Sequence, residues 1–197
     1  MSSVIPQQVL GFWFGEGKAA GQPRQAWFQK DADFDAQIRQ RFGNTVQTAL
    51  GGGLVEWTQT PSGWLALIVV LDQFTRNIGR DTEAAFAGDA RALTLALEGI
   101  ARGDDQALSP LERVFCYLPL EHAEDAMLQA RSVGLFEALR DAVPAASRAP
   151  FENFLDYARR HQQVIERFGR FPHRNGLLGR TSTPAEVDYL SQPGAGF

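Results

Sequence analysis

Eight consecutive apolar residues, Trp64-Leu65-Ala66-Leu67-Ile68-Val69-Val70-Leu71, constrain this chain more than any other stretch. Thr60-Pro61 precedes them and reads as a helix N-cap followed by the first helical residue, where a missing N–H costs nothing. Trp64, Leu67, Ile68, Leu71, Phe74 and Ile78 recur at three- and four-residue steps, the period of a helix. The Ile-Val-Val run also suits a strand, but the cap and the length favour a helix. A helix apolar on every side lies inside a core, so other helices have to surround it. It is too short to span a bilayer, which takes about 20 apolar residues.

The surrounding segments read as helices too. Ile5-Pro6 opens a short one carrying Val9, Leu10, Trp13 and Phe14, followed by a glycine-rich loop. The spacing of Phe34, Ile38, Phe42, Val46 and Leu50 predicts a helix over about Asp33 to Leu50, ended by Gly51-Gly52-Gly53. Thr82 to Arg102 reads as another, closed by Gly103. Ser109-Pro110-Leu111-Glu112 is a capping box, and Pro119 is expected to break or kink the helix it opens. A helix is predicted from about Glu121 to Val143. A Pro144 to Pro150 linker leads to a stripe of Phe151, Phe154, Ala158, His161, Ile165 and Phe168, stopped by Gly169 and Pro172. Thr183-Pro184-Ala185-Glu186 is a second capping box. No alternation typical of strands occurs, and no 34-residue repeat is visible. The expectation is an all-α chain of antiparallel helices folded as one compact domain over residues 1–197.

The net charge of −4 argues against nucleic-acid and membrane-surface partners, which favour a basic surface. A single cysteine, Cys116, sits in an apolar run and reads as a small buried hydrophobe. One cysteine and no basic, then apolar, leader suggest a cytoplasmic location. No cofactor motif is found, neither a Walker A loop nor a GxGxxG turn. No metal-ligand spacing joins His122, His161 and His173.

Three stretches break the burial pattern with chemistry-bearing residues. Asp72, Arg76 and Arg80 stand four residues apart, beside a Gln73 and Asn77 pair. Polar groups that surface from a buried helix either form an intrahelical salt bridge at its end or line a cavity with other polar groups. Glu121-His122-Ala123-Glu124-Asp125 falls in a helix's first turn if Pro119 starts that helix. There the acids suit the dipole, and His122 and Asp125 share a face. A carboxylate beside an imidazole orients it for proton transfer. The third stretch is Arg167 to Asn175. Six arginines lie between Arg159 and Arg180 against one acid, Glu166, a local net of plus five. Arg167 and Arg170 can be helix-end cations, and Phe168 and Phe171 core anchors. His173-Arg174-Asn175 lie beyond Pro172 and keep no such explanation. His161, on the apolar stripe, reads as a core histidine that also points where a pocket would use it.

Val9-Leu10-Gly11-Phe12-Trp13-Phe14-Gly15, Leu71-Asp72-Gln73-Phe74-Thr75-Arg76-Asn77 and Tyr117 to Asp125 resemble the motifs of the bacterial family DUF924. So do Arg167 to Asn175 and Gly179 to Glu186. The resemblance spans nearly the whole chain and implies a tetratricopeptide-like α-α superhelix, with no activity attached. Two positions depart from the family pattern. Thr75 stands where proline is usual, implying a less kinked helix, and Ala123 where serine is frequent, removing a hydroxyl.

The expected site is a pocket for a small anionic molecule, with hydrolysis or group transfer as its chemistry. His122 and His173 are the expected proton carriers. Asp72, Gln73, Arg76, Asn77, Glu121, His161, Arg170, Arg174 and Asn175 are the expected ligand contacts, arginines holding a carboxylate or phosphate. The rival expectation is a groove for an acidic peptide, without catalysis. Neither reading requires a cofactor or metal, and both leave the oligomeric state open.

Overall fold

In the computed structural model, which describes residues 4–17 and 21–196, the buried helix forms as α3, Pro61–Ile68. The Thr60 side chain accepts the Gly63 N–H, as a cap should. The helix widens into a π-helical turn over Val69–Phe74 and ends as α4, Thr75–Ile78. A π turn carries one extra residue per turn and rotates everything after it. It was not legible in the spacing. Thr75 stands where a proline would kink the chain. Its hydroxyl instead donates to the Leu71 carbonyl at 2.7 Å, inside that turn.

The other helices are α1 (Pro6–Phe14), α2 (Ala32–Leu50), α5 (Asp89–Arg102), α6 (Pro110–Glu121), α7 (Ala126–Ala142), α8 (Ala149–Phe168) and α9 (Pro184–Leu190). The described residues contain no strand, so the fold is all-α. Two boundaries differ from the sequence expectation. The α5 helix starts at Asp89 rather than Thr82, after a 3-10 turn at Glu83–Phe86. Asp81 takes a left-handed φ of 62°, and Gly88 passes so close to the Leu71 carbonyl that a side chain there would overlap it. This tight passage rules out a continuous helix. The second difference is at Pro119, which neither breaks nor starts a helix. It lies in the last turns of α6, which runs on to Glu121, and α7 begins at Ala126. Residues 122–125 are therefore a connection, not a first helical turn.

The chain groups into two compact units, Met1–Arg80 with Ala84–Pro119 and Asp81–Glu83 with Leu120–Phe197. Aromatic side chains fill the first. Trp13 meets Phe74 and Phe115 edge to face, each at 5.6 Å between centroids, and Phe42 lies 4.9 Å from Phe74. Such tilted and edge contacts suit the ring quadrupole. In the second unit α7 and α8 pack antiparallel, and Arg159 bonds Glu137 across them at 2.6 Å. Gly169, in the left-handed conformation, ends α8. The chain then turns so that Phe171 packs with Val164 and Ile165, beside Phe168 and Tyr189.

Candidate functional site

The polar residues that follow the buried helix are engaged inside the first unit. Arg76 reaches the Asp72 carboxylate at 3.2 Å, as the four-residue spacing implied, and adds a bidentate pair with Asp89 at 2.8 and 3.0 Å. Burial works against the Arg76 charge, and the two aspartates more than offset it, raising its pKa. Gln73 does not pair with Asn77. Its amide donates to Asp72, and Asn77 donates to Asp35 of α2 at 2.7 Å. Arg80 lies past the end of α4 and does not continue the Asp72–Arg76 stack. It makes a two-toothed pair with Asp35 at 2.6 and 2.9 Å. Burial pushes the Asp35 carboxyl up, but the bonds from Arg80 and Asn77 win and hold it below the usual range.

The second unit gathers three histidines that lie far apart in sequence. His122 is in the turn after α6, His161 is on the buried stripe of α8, and His173 is in the 3-10 turn Pro172–Arg174. The His161 ring lies 6.2 Å from the His122 ring and 5.4 Å, edge to face, from Phe171. The His173 ring lies 5.7 Å from Phe171, tilted by 38°. Arg174, only 7% exposed, stacks its guanidinium on the same Phe171 ring at 4.5 Å. An arginine over an aromatic face keeps its charge while shedding water.

The carboxylate–imidazole pair expected of His122 and Asp125 is not the one that forms. Asp125 caps α7, accepting the Leu128 N–H at 2.9 Å. The pair is Glu121 with His161: His161 Nδ1 lies 3.1 Å from Glu121 Oε1 and 2.9 Å from the Tyr157 carbonyl oxygen. Burial, then the neighbouring His122, push the His161 imidazole down to about 3, aided by Arg174 and His173. Burial and the Arg174 charge push His173 down to about 4. Both rings are neutral at pH 7. Gln129 of α7 donates to the Glu121 and Ala123 carbonyls at 2.6 and 2.8 Å and braces the turn that carries His122. No periodicity in the sequence marked that glutamine.

Four arginines of the basic stretch, Arg159, Arg160, Arg170 and Arg180, meet carboxylates. Arg170 makes a bidentate pair with Glu186 at 2.7 and 2.8 Å. Glu186 also accepts the Thr183 N–H, closing the expected capping box, and its carboxyl is held down at about 2 chiefly by Arg170. Arg180 pairs with Glu124, Arg159 with Glu137, and Arg160 with Asp156. Arg167 lies over the Phe168 ring at 4.7 Å. The local plus five read from the sequence is thereby largely cancelled. Asn175, 1% exposed, donates to the Ser182 hydroxyl at 3.0 Å.

Among the described residues, no group of three or more His, Cys, Asp or Glu side chains is arranged to hold a metal ion. No helix among them is long and apolar enough to cross a membrane. Cys116 is fully buried, and burial raises its thiol pKa well above the usual value, so it is no thiolate nucleophile. A cavity of about 310 Å³ in the first unit is lined by Leu10, Phe14, Ser109, Leu111 and Glu112, among others. None of the site residues expected from the sequence lines it. Its one carboxylate already accepts both the N–H and the hydroxyl of Ser109.

Residues 9–194 match the family model described as a bacterial protein of unknown function, DUF924. A solved structure of a protein of unknown function from Agrobacterium tumefaciens is similar to this chain, with 40% sequence identity and a TM-score of 0.81. That match covers 94% of this chain and 96% of the other. No curated protein matches. With the family model spanning almost all of its length, the chain belongs to the DUF924 family.

Proposed function

We propose that the second unit binds a small anionic molecule at the cluster around Phe171. One observation carries this reading: His161, His173 and Arg174 gather at the Phe171 ring, and His122, from a third segment, lies beside His161. A buried guanidinium beside the neutral His161 and His173 imidazoles attracts an anion, because its field is little screened there. Those two imidazoles add no repulsive charge. Arg170 and Arg180 are staples in this reading, since each is held by its own carboxylate. The ligand contacts in this reading are His122, His161, His173 and Arg174, with Asn175 alongside. In the catalytic form of the reading, His122 and His173 pass a proton to or from the bound molecule in a hydrolysis or group transfer.

Titration of the protein with malonate and with inorganic phosphate, followed by calorimetry, tests this. Binding by the wild type, lost at least tenfold in Arg174→Gln and kept in Arg159→Gln, is the expected result. Equal affinities in wild type and Arg174→Gln would remove the basis of the reading. A short acidic peptide is the occupant expected of a tetratricopeptide-like groove. Titration with acidic peptides of increasing length separates it, because only there does affinity grow with length.

A further inference from the structure

The α7 helix carries two polar side chains that are completely buried, Gln129 and Ser132. They stand three residues apart and so share one face of the helix. The Gln129 amide is held in one orientation. Its nitrogen donates to the Glu121 and Ala123 carbonyls, and a flipped amide would set its oxygen against two other acceptors. Gln129 Oε1 is thus fixed as an acceptor, and no described residue donates to it. Ser132 Oγ has no described partner either. The hydroxyls of Thr48, Thr75 and Thr94 each return to the carbonyl four residues back. Ser132 makes no such bond. A buried hydroxyl or amide oxygen without a partner is costly, and ordered water is the usual remedy.

We infer that one ordered water molecule bridges Gln129 and Ser132 inside the second unit: it donates a hydrogen to Gln129 Oε1, and its oxygen accepts the Ser132 hydroxyl. Side chains three residues apart on a helix start about 5–6 Å apart. Two O–H···O bonds of about 2.8 Å each span that gap with a single oxygen between them. Two neutral oxygens do not offset the cost of stripping a metal ion of its own water, so the occupant is a neutral molecule that can both donate and accept. By donating to Gln129 Oε1 the water polarises the amide and strengthens its two N–H bonds. Those bonds brace the turn that carries His122. The water belongs to the fold whether or not an anion binds at the cluster around Phe171.

A high-resolution crystal structure of the wild-type protein tests this directly. The expected result is a solvent peak within hydrogen-bonding distance of both Gln129 Oε1 and Ser132 Oγ. No peak there, an ion in its place, or a protein donor turned toward Gln129 Oε1 overturns the inference. Ser132→Ala gives a second reading, in solution. Alanine suits a helix better than serine, and a buried hydroxyl with no partner is itself a cost. Without a bridging water the variant should therefore be the more stable protein. With the water in place, the folding equilibrium constant read from chemical denaturation should fall about two- to threefold, because the loss of one ordinary hydrogen bond exceeds the helix gain. A rise in stability, or no change, contradicts the bridge.

Discussion

Glu124 and Arg180, 56 residues apart, form a two-toothed ion pair at 2.6 and 2.9 Å. The same carboxylate accepts the Phe171 N–H at 2.7 Å, while Arg180 also donates to the Phe171 carbonyl at 3.1 Å. The backbone of the residue at the centre of the cluster is thus clamped from both sides. Burial pushes the Glu124 carboxyl up, but the bonds from Arg180 and Phe171 outweigh it and hold its pKa low. Glu124→Ala leaves the Phe171 N–H without its acceptor. Chemical denaturation should show a loss of about 1–3 kcal/mol, with a comparable loss in Arg180→Ala and less than the sum of the two in the double variant. Additive losses would mean that the clamp does not act as a unit.

Acid should weaken the fold in two windows. His161 and His173 have folded-state pKa values of about 3 and about 4, below the ordinary value of 6.5. Between these limits the unfolded chain binds more protons, so stability falls as pH drops from 6.5. The slope is at most about 1.4 kcal/mol per pH unit for each histidine. Glu186, held down at about 2, contributes stability above about pH 4.5 that is lost as pH falls through 2. Unfolding free energy measured from pH 7.5 to 3.5 checks the first window. The wild type should decline from pH 6.5, and His161→Gln should decline less steeply. A flat profile between pH 7 and 5 would show that these imidazoles are not buried neutral.

Two glycines in helices should respond oppositely to alanine. A methyl at Gly99 of α5 would overlap the Trp64 ring, whose indole N–H donates to the Leu95 carbonyl at 2.7 Å. Overpacking against a fixed ring costs about 1–3 kcal/mol. Gly134 of α7 has open space where its methyl would go, so Gly134→Ala gains about 0.5–1 kcal/mol from helix propensity alone. Thermal melts of the two variants should move in opposite directions, and a shared direction would contradict the packing at Trp64.

Asp35 ties α2 to the end of α4 through Asn77 and Arg80. Replacing it with alanine takes away the carboxylate that both donors share in a largely buried place, and denaturation should show a loss of about 3 kcal/mol. An effect below about 0.5 kcal/mol would mean that Arg80 and Asn77 are satisfied by solvent.

The helical fold was legible because its signals are local. Thr60 and Thr183 cap, Gly103 and Gly169 terminate in the left-handed conformation, and the apolar steps of α8 name its buried face. Where the sequence misled, the deciding partner was distant. Nothing near Asp72 announced the π turn, which depends on how the whole helix packs. Pro119 suggested a boundary, but near a helix end it forfeits one hydrogen bond, and α6 tolerates that. For the site, residue types were legible and partners were not. Arg170 and Arg174 look alike in sequence, yet folding hands the first to Glu186 and sets the second on Phe171. His161 was readable as an inward-pointing histidine. Its carboxylate, Glu121, lies 40 residues away on another helix.

The central claim is that the Phe171 cluster holds an anion, and the most direct test locates one. Crystals of the wild-type protein soaked with selenate, a tetrahedral dianion whose selenium is found by anomalous scattering, should give a peak within hydrogen-bonding distance of the Arg174 guanidinium and at least one of His122, His161 and His173. The account is contradicted if the selenate is found only at exposed arginines such as Arg159 or Arg160, with the cluster empty.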